Sequence, residues 1–435
     1  MKDFSVGVGK RNISPPLGIE LCGYGIYRGR KNKGVHDNLY SRALALSNGD
    51  ENIIIITNDL VGVSQEIQKE TETLISKELG IREDNVIITS THTHSGPATV
   101  PLKGWGEIDE DYVKSLPEKF LESASSAYNN LREAKYGFGR ADVKRVSINR
   151  VIRGGPVDRE VRVLHFKDKD LKPLATLFNY SCHGVAIDVR TDDGFYVSSD
   201  WPGYAMRFVE KNGGGHAYFL QGTCGDINPL VTWHMRGFDA AEETGRKVAN
   251  GVLRVLSEIE VKDCKELMIE KKIFKLPFQK MTMKKIVDDL IEFLDQLEVR
   301  EKASIEELRP SIRFYREYAI DMIEKMEKGF PDGLESRIQV VVLDETALIF
   351  VPGEVFIELG LDIMKRSPFK NTMVVGYSGY LVGYIPTALD YTMKGYASTM
   401  VPKIFRYPPF IKDIGSVLVK ESLSLLQNAY MKKHQ

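Results

Sequence analysis

The stretch from Asn52 to His94 constrains the fold more than any other part of the chain. Asn52 to Thr57 carries Ile53-Ile54-Ile55-Ile56, an unbroken apolar run of strand length. Val63, Ile67, Leu74 and Ile75 then recur at helical spacing among Glu and Lys, and Val86-Ile87-Ile88-Thr89 is a second β-branched run. Strand, helix, strand is a crossover unit, and it implies parallel strands beneath a covering helix. An apolar run without alternation is the mark of a strand buried on both faces. The expected class is α/β, with mixed β-sheets covered by helices.

The second strand runs into Thr91-His92-Thr93-His94-Ser95-Gly96-Pro97. If the extended conformation continues, His92 and His94 share one face, and Ser95-Gly96-Pro97 turns the chain. Two imidazoles delivered to a strand end suit metal binding or proton transfer. A hydrogen-bonded histidine pair capping the strand fits the stretch equally well.

Further strands are expected at Leu39 to Leu46, Val143 to Val151, Glu160 to Phe166, Leu174 to Tyr180, Tyr218 to Gln221 and Met373 to Val375, with a hairpin over Arg337 to Val351. Helices are expected at roughly Asp111 to Arg132, Asp200 to Lys211, Ala240 to Ile259 and Ile414 to Met431. Residues 281–330, dense in Lys, Glu, Leu and Ile, read as helices broken at Pro310. They form a lid or insertion within one catalytic domain over 1–435, their charges on a solvated face. Gly7-Val8-Gly9-Lys10 lacks the glycine spacing and the Ser/Thr of a phosphate loop.

Lys and Arg number 59 against 60 Asp and Glu, so no electrostatic footprint for nucleic acid exists. No apolar window reaches bilayer length, and the N-terminus has no signal-peptide core. Cys22, Cys182, Cys224 and Cys264 lie far apart without CxxC spacing. Neither a thiolate zinc site nor a disulfide scaffold is expected, and a reducing cytoplasm is the expected home.

Three positions share one pattern. His92, His183 in Cys182-His183-Gly184, and Glu354 in Pro352-Gly353-Glu354 each stand where a strand gives way to a glycine-containing turn. Two histidines and a carboxylate suffice for a catalytic zinc with an open position. No HExxH motif ties them together, so on residues alone a satisfied core histidine is the competing reading for His183. By the same measure Tyr384 and Tyr396 read more readily as half-buried packing residues, and Arg150 as a surface ion-pair partner.

In series, the motifs resemble the neutral ceramidase family, zinc-dependent amidases that hydrolyse the N-acyl bond of ceramide. The resemblance rests on Ile13 to Gly18 with Gly23-Tyr24-Gly25, on Thr91 to Pro97, and on Asn149-Arg150 and Cys182-His183-Gly184. It continues through Ser199 to Tyr204, Gly222 to Pro229, Pro352-Gly353-Glu354, and Gly383 to Thr387 with Tyr391 and Tyr396. It implies a Zn2+ held by His92, His183, Glu354 and Tyr384, with His94 as acid and base. Arg150 and Tyr396 would steady the carbonyl oxygen as it becomes an oxyanion. The implied substrate is a small N-acyl amide, ceramide being one candidate; self-association into a homo-oligomer is left open.

Three departures stand out. Asn228 occupies the place of a serine in the family's GDxSP loop, and an amide is no nucleophile. The expected chain is a compact member without signal peptide or C-terminal immunoglobulin-like domain, and residues 281–330 match no family motif. Two rivals follow. One is a hydrolase using Cys224 with His94; the other is a non-catalytic metal-binding or ligand-sensing protein on the same scaffold, which Asn228 permits.

Overall fold

Ile53 to Ile56 are buried on both faces in the computed structural model, which describes residues 3–298 and 305–434. They lie on β3 (Asn52–Asn58) of a sheet that also contains β1 (Ser5–Asn12), β2 (Tyr40–Ser47), β4 (Val86–Ser90), β5 (Arg132–Asp142), β6 (Glu160–Asp168), β7 (Pro173–Tyr180) and β8 (His216–Gln221). Its order is β4-β3-β2-β1-β5-β6-β7-β8. Only the pairs β3/β4 and β7/β8 along this order are parallel, as the crossover reading requires. The sheet curls: on β8, Tyr218 OH reaches Ala43 O on β2 (2.9 Å), and Phe219 O accepts from Thr57 Oγ1 on β3 (2.9 Å).

A second sheet runs β9 (Leu267–Pro277), β10 (Gly333–Leu343), β11 (Thr346–Phe350), β12 (Asn371–Val375), with β11/β12 parallel. The layers follow from residue alternation. Ile54 and Ile56 face α1 (Gln65–Leu79) and α2 (Leu116–Asn129), whereas Ile53 and Ile55 share a core with Val341, Leu348 and Met373 of the second sheet. On the other half of the first sheet, Val161, Val163 and Phe178 pack on α3 (Asp200–Lys211) and α4 (Gly237–Glu258). Val340, Val342 and Ile349 face α7 (Ile357–Arg366) and α8 (Ile414–Lys433). Helix α1 begins where Ser64 Oγ caps the Ile67 N–H and ends at Gly80 in the left-handed conformation (φ 68°).

Gly7 and Gly9, unsuited to holding phosphate, have a packing role. A Cβ at Gly7 would stand 1.9 Å from Ala127 O, and one at Gly9 2.0 Å from Ser123 O, so α2 rests directly on the β1 backbone. Gly9→Ala should therefore destabilise the protein by about 1–3 kcal/mol, read as a lower denaturant midpoint. An unchanged midpoint would contradict this packing.

Several expectations needed correction. The helix expected over Asp111 to Arg132 is two, Glu110–Lys114 and Leu116–Asn129, restarted at Pro117. Arg132 instead opens β5, and of the strand expected over Val143 to Val151 only Ser147–Asn149 is extended. β5 and β9 carry many charges on half-exposed faces, which hid their strand character. Residues 281–330 form α5 (Met283–Glu298) and α6 (Ile305–Lys328), and Pro310 lies inside α6 without ending it. Among the described residues no helix is long and apolar enough to cross a membrane.

Candidate active site

The carboxyl ends of the parallel strands point at one place, where open α/β sheets ordinarily bind ligands. His92 follows β4, His183 follows β7, Cys224 follows β8, Glu354 follows β11 and Tyr377 follows β12. Curling of the first sheet brings its two edges together, and Gln221 Nε2 locks them by donating to Thr91 O and Cys182 O (both 3.0 Å). Thr93 pairs with Gly184, and His94 N–H donates to Gly184 O (3.1 Å). Two histidines 91 positions apart are thus held by adjoining backbone.

The strand face expected to carry His92 and His94 does not exist. β4 stops at Ser90, and His92 adopts a left-handed φ of 61°. This conformation is costly for a residue other than glycine and is held by the surroundings. The rings converge all the same, with 3.1 Å between His92 Nε2 and His94 Nε2. Gly23 makes room for the second ring, since a Cβ there would sit 2.4 Å from His94 Nδ1.

Outer partners orient the imidazoles. His92 Nδ1–H donates to Val61 O, and His183 Nδ1–H to Cys224 O (both 2.6 Å). Both Nε2 atoms are left as lone-pair donors, and each lies 3.1 Å from Glu354 Oε2. Burial pushes the His183 imidazole down to about 4, with Arg150 adding to the effect, and burial also holds His94 well below its ordinary value. Burial opposes ionisation of Glu354, and it is positive charge at the His92 and His183 imidazoles that keeps its carboxyl well below the usual range. The result is a buried carboxylate ringed by nitrogen lone pairs.

Such a donor set suits a cation. One side-chain nitrogen from each of His92, His94 and His183 lies within 4.8 Å of the other two, and this group could hold a metal ion. Glu354–Val355 pairs in parallel with Tyr384–Ile385, so Glu354 and Tyr384 sit side by side, and the Tyr384 hydroxyl is 3.4 Å from His183 Nε2. Burial pushes that phenol well up, with Arg150 opposing. A neighbouring cation would reverse the balance.

Arg150 Nη2 donates to the Tyr384 hydroxyl (2.6 Å) and to Gly225 O (2.8 Å), and Tyr396 lies edge-on to Tyr384 at 5.9 Å, itself 47% exposed. The glycine of the Gly225-Asp226-Ile227-Asn228-Pro229 loop lets it thread past Glu354, whose carbonyl a Cβ on Gly225 would meet at 2.5 Å. All seven expected site residues therefore gather here.

Cys224 is not poised for nucleophilic attack. Its buried thiol lies 3.2 Å from the Tyr377 hydroxyl, and burial pushes it well up, away from the reactive thiolate. Tyr377 is the contributor that sequence reasoning missed. Its hydroxyl is 3.4 Å from Glu354 Oε2 and its ring 4.2 Å from that of His92, at a φ of 55°. The signal was its place after β12, matching Glu354 after β11, but several tyrosines follow and only contacts single it out.

Comparison with known proteins agrees with this geometry. A family model described as neutral/alkaline non-lysosomal ceramidase, N-terminal, matches residues 4–235. Neutral ceramidase of Oryza sativa is 25% identical over 230 residues, 48% of this chain and 29% of that protein. The Drosophila melanogaster neutral ceramidase is 24% identical over 261 residues, covering 52% and 36%. The matched stretch is thus about a third of each relative's length. The crystal structure of Pseudomonas aeruginosa neutral ceramidase overlays with a TM-score of 0.75 at 16% identity, covering 98% of this chain and 74% of that one. A ceramidase complexed with C2 gives 0.77 at 14% identity, covering 99% and 76%. With the strand-end cluster in place and more than half of its length matched, the chain belongs to the neutral/alkaline non-lysosomal ceramidase family.

Proposed function

We propose that the protein is a zinc-dependent hydrolase of a linear N-acyl amide. The observation that carries this is the convergence of His92 Nε2 and His183 Nε2 on Glu354 Oε2, each at 3.1 Å, with Tyr384 beside them. His92, His183, Glu354 and Tyr384 would hold the ion. When bound there, zinc polarises the scissile carbonyl and acidifies water. His94, on the open side of His92, accepts the proton of the attacking water and returns it to the leaving nitrogen, so no net charge leaves the site. Arg150 donates to the carbonyl oxygen as negative charge grows on it, and Tyr396 adds a donor from the half-exposed mouth. Asn228 sits in a short strand paired with Ser147–Asn149, and its amide supplies no nucleophile. Ceramide is a candidate substrate on the strength of the relatives' names. A reducing compartment such as the cytoplasm is the proposed setting, in keeping with free, buried Cys22, Cys182 and Cys224.

The test is a panel of N-acyl amides and esters, ceramide among them, run with and without a zinc chelator and with iodoacetamide. Amide cleavage that the chelator abolishes and iodoacetamide spares is the expected result. Stoichiometric zinc with no turnover on any member would favour a binding protein instead.

A further inference from the structure

The helices α5 and α6 contribute none of the seven site residues, yet their charges are not simply solvated. One carboxylate gathers most of the contacts. Glu317 on α6 accepts from Tyr27 OH (2.7 Å) and pairs with Lys103 Nζ (3.2 Å), Arg406 Nη2 (3.0 Å) and its own helix's Arg313 Nε (2.8 Å). Desolvation opposes ionisation, but the donors from Arg313, Tyr27 and Lys103 hold the carboxyl at about 2.

The three partners outside α6 sit on three separate segments, and each segment touches the site. Tyr27 belongs to the loop whose Gly23 backs the His94 ring and whose Arg30 donates to His94 O (2.5 Å). Lys103 lies downstream of His94 and donates its N–H to Ile404 O (3.0 Å). Arg406 ends the segment that begins with Tyr396, and Tyr407 next to it donates to Val382 O, just before Tyr384. A second bond reinforces the first. Lys403, buried on the Tyr396 segment, reaches Asp289 of α5 at 3.5 Å and lies near the rings of Tyr315 and Tyr318 of α6.

We infer that α5 and α6 act as a tie across the mouth of the site, in which Glu317 is a positioning residue that sets His94 and Tyr396 relative to the metal ligands. Backbone bonds already join neighbouring segments, Tyr27 N–H to Gly104 O (2.7 Å) and Lys103 N–H to Ile404 O (3.0 Å), and Glu317 adds an ion-pair node common to all three. The carboxylate is 29% exposed, so dissolved salt reaches the tie, whereas the buried ligand cluster is shielded. The effect belongs to the chemical step rather than to zinc binding. This inference rests on the hydrolase reading for its kinetic half only.

The experiment compares the full-length parent with Glu317→Gln and, as a second probe, Lys103→Met. Amide hydrogen exchange of residues 22–30, 97–105 and 396–407 is measured together with zinc content, and KM and kcat are measured on whichever panel amide is cleaved. Exchange should accelerate about tenfold in all three segments at once, with zinc content unchanged. kcat should fall about tenfold while KM changes less than about twofold, and added salt should lower the parent's kcat toward that of Glu317→Gln but leave the variant's nearly constant. Exchange that stays as in the parent, or quickens in α6 alone, overturns the tie. So does a kcat with the same salt response in parent and variant. Absence of turnover in the parent counts against the hydrolase reading, and the exchange result still decides the tie.

Discussion

His183→Ala should strip the purified protein of zinc and lower amide hydrolysis about a thousandfold. The imidazole has no substitute nearby: its Nδ1–H is committed to Cys224 O and its Nε2 faces Glu354 at 3.1 Å. Removing it leaves a buried carboxylate with one fewer neutral donor, and the Tyr384 hydroxyl without its 3.4 Å neighbour. Loss of Lewis-acid polarisation withdraws several kcal/mol from the barrier, and about 4 kcal/mol corresponds to the thousandfold drop. Elemental analysis after dialysis, paired with turnover on the cleaved amide, checks both halves. His92→Ala should behave alike. His94→Ala should separate them, keeping the zinc while losing kcat, because its role is to move protons. If His94→Ala also empties the site, the three histidines are the ligand set and the proton carrier lies elsewhere. Zinc retained in full by His183→Ala would dismantle the proposal.

Arg150→Met should lower kcat by about 10² to 10³ while zinc content stays as in the parent, since loss of one oxyanion donor costs about 3–4 kcal/mol. The guanidinium spans two acceptors, the Tyr384 hydroxyl and Gly225 O, and its charge lies over the Tyr384 ring at 5.7 Å. Both bonds leave one nitrogen, Nη2, which a lysine, one bond shorter and without the planar charge, does not place over the Tyr384 ring, so Arg150→Lys should recover little. The informative comparison is kcat against KM: a group that acts only as charge develops lowers kcat and kcat/KM together. A variant whose KM alone rises would make Arg150 a ground-state binding residue.

Part of the backbone strain lies where the chemistry is proposed. His92, Asp200 and Tyr377 all have positive φ, near 61°, 54° and 55°. Such conformations in residues other than glycine cost on the order of 1–3 kcal/mol each and persist where surroundings over-determine them. Asp200 shows how. Its carboxylate accepts from the N–H groups of Ala186 and Ile187, and Trp201 beside it donates its indole N–H to His183 O (2.7 Å). The turn after His183 is therefore braced from α3.

Much of the framework was legible from residue periodicity. β3, α1 and β4 fall where the Ile run, the helical spacing and the Val-Ile-Ile run place them, because each has a strong apolar signature. β5 and β9 were missed because Lys, Arg and Glu on their half-exposed faces break the alternation that reports a strand. Among the site residues, those preceding or following glycine at strand ends could be picked out, and Tyr384, Arg150 and Tyr396 came only through family resemblance. Gln221 left no local mark at all, and Tyr377 only its place after a strand, which the neighbouring tyrosines obscure.

By itself the sequence determined that parallel units exist and that histidines and a glutamate stand at their carboxyl ends, since apolar spacing reports which face of an element is buried. Only the tertiary structure decided that these ends meet. Curling of the first sheet, the left-handed turn at His92, the two carbonyls that orient the imidazoles, and Glu317 bridging three loops are all matters of closure between distant segments. Closure is set by packing and hydrogen bonds across hundreds of residues, and local periodicity carries no record of it.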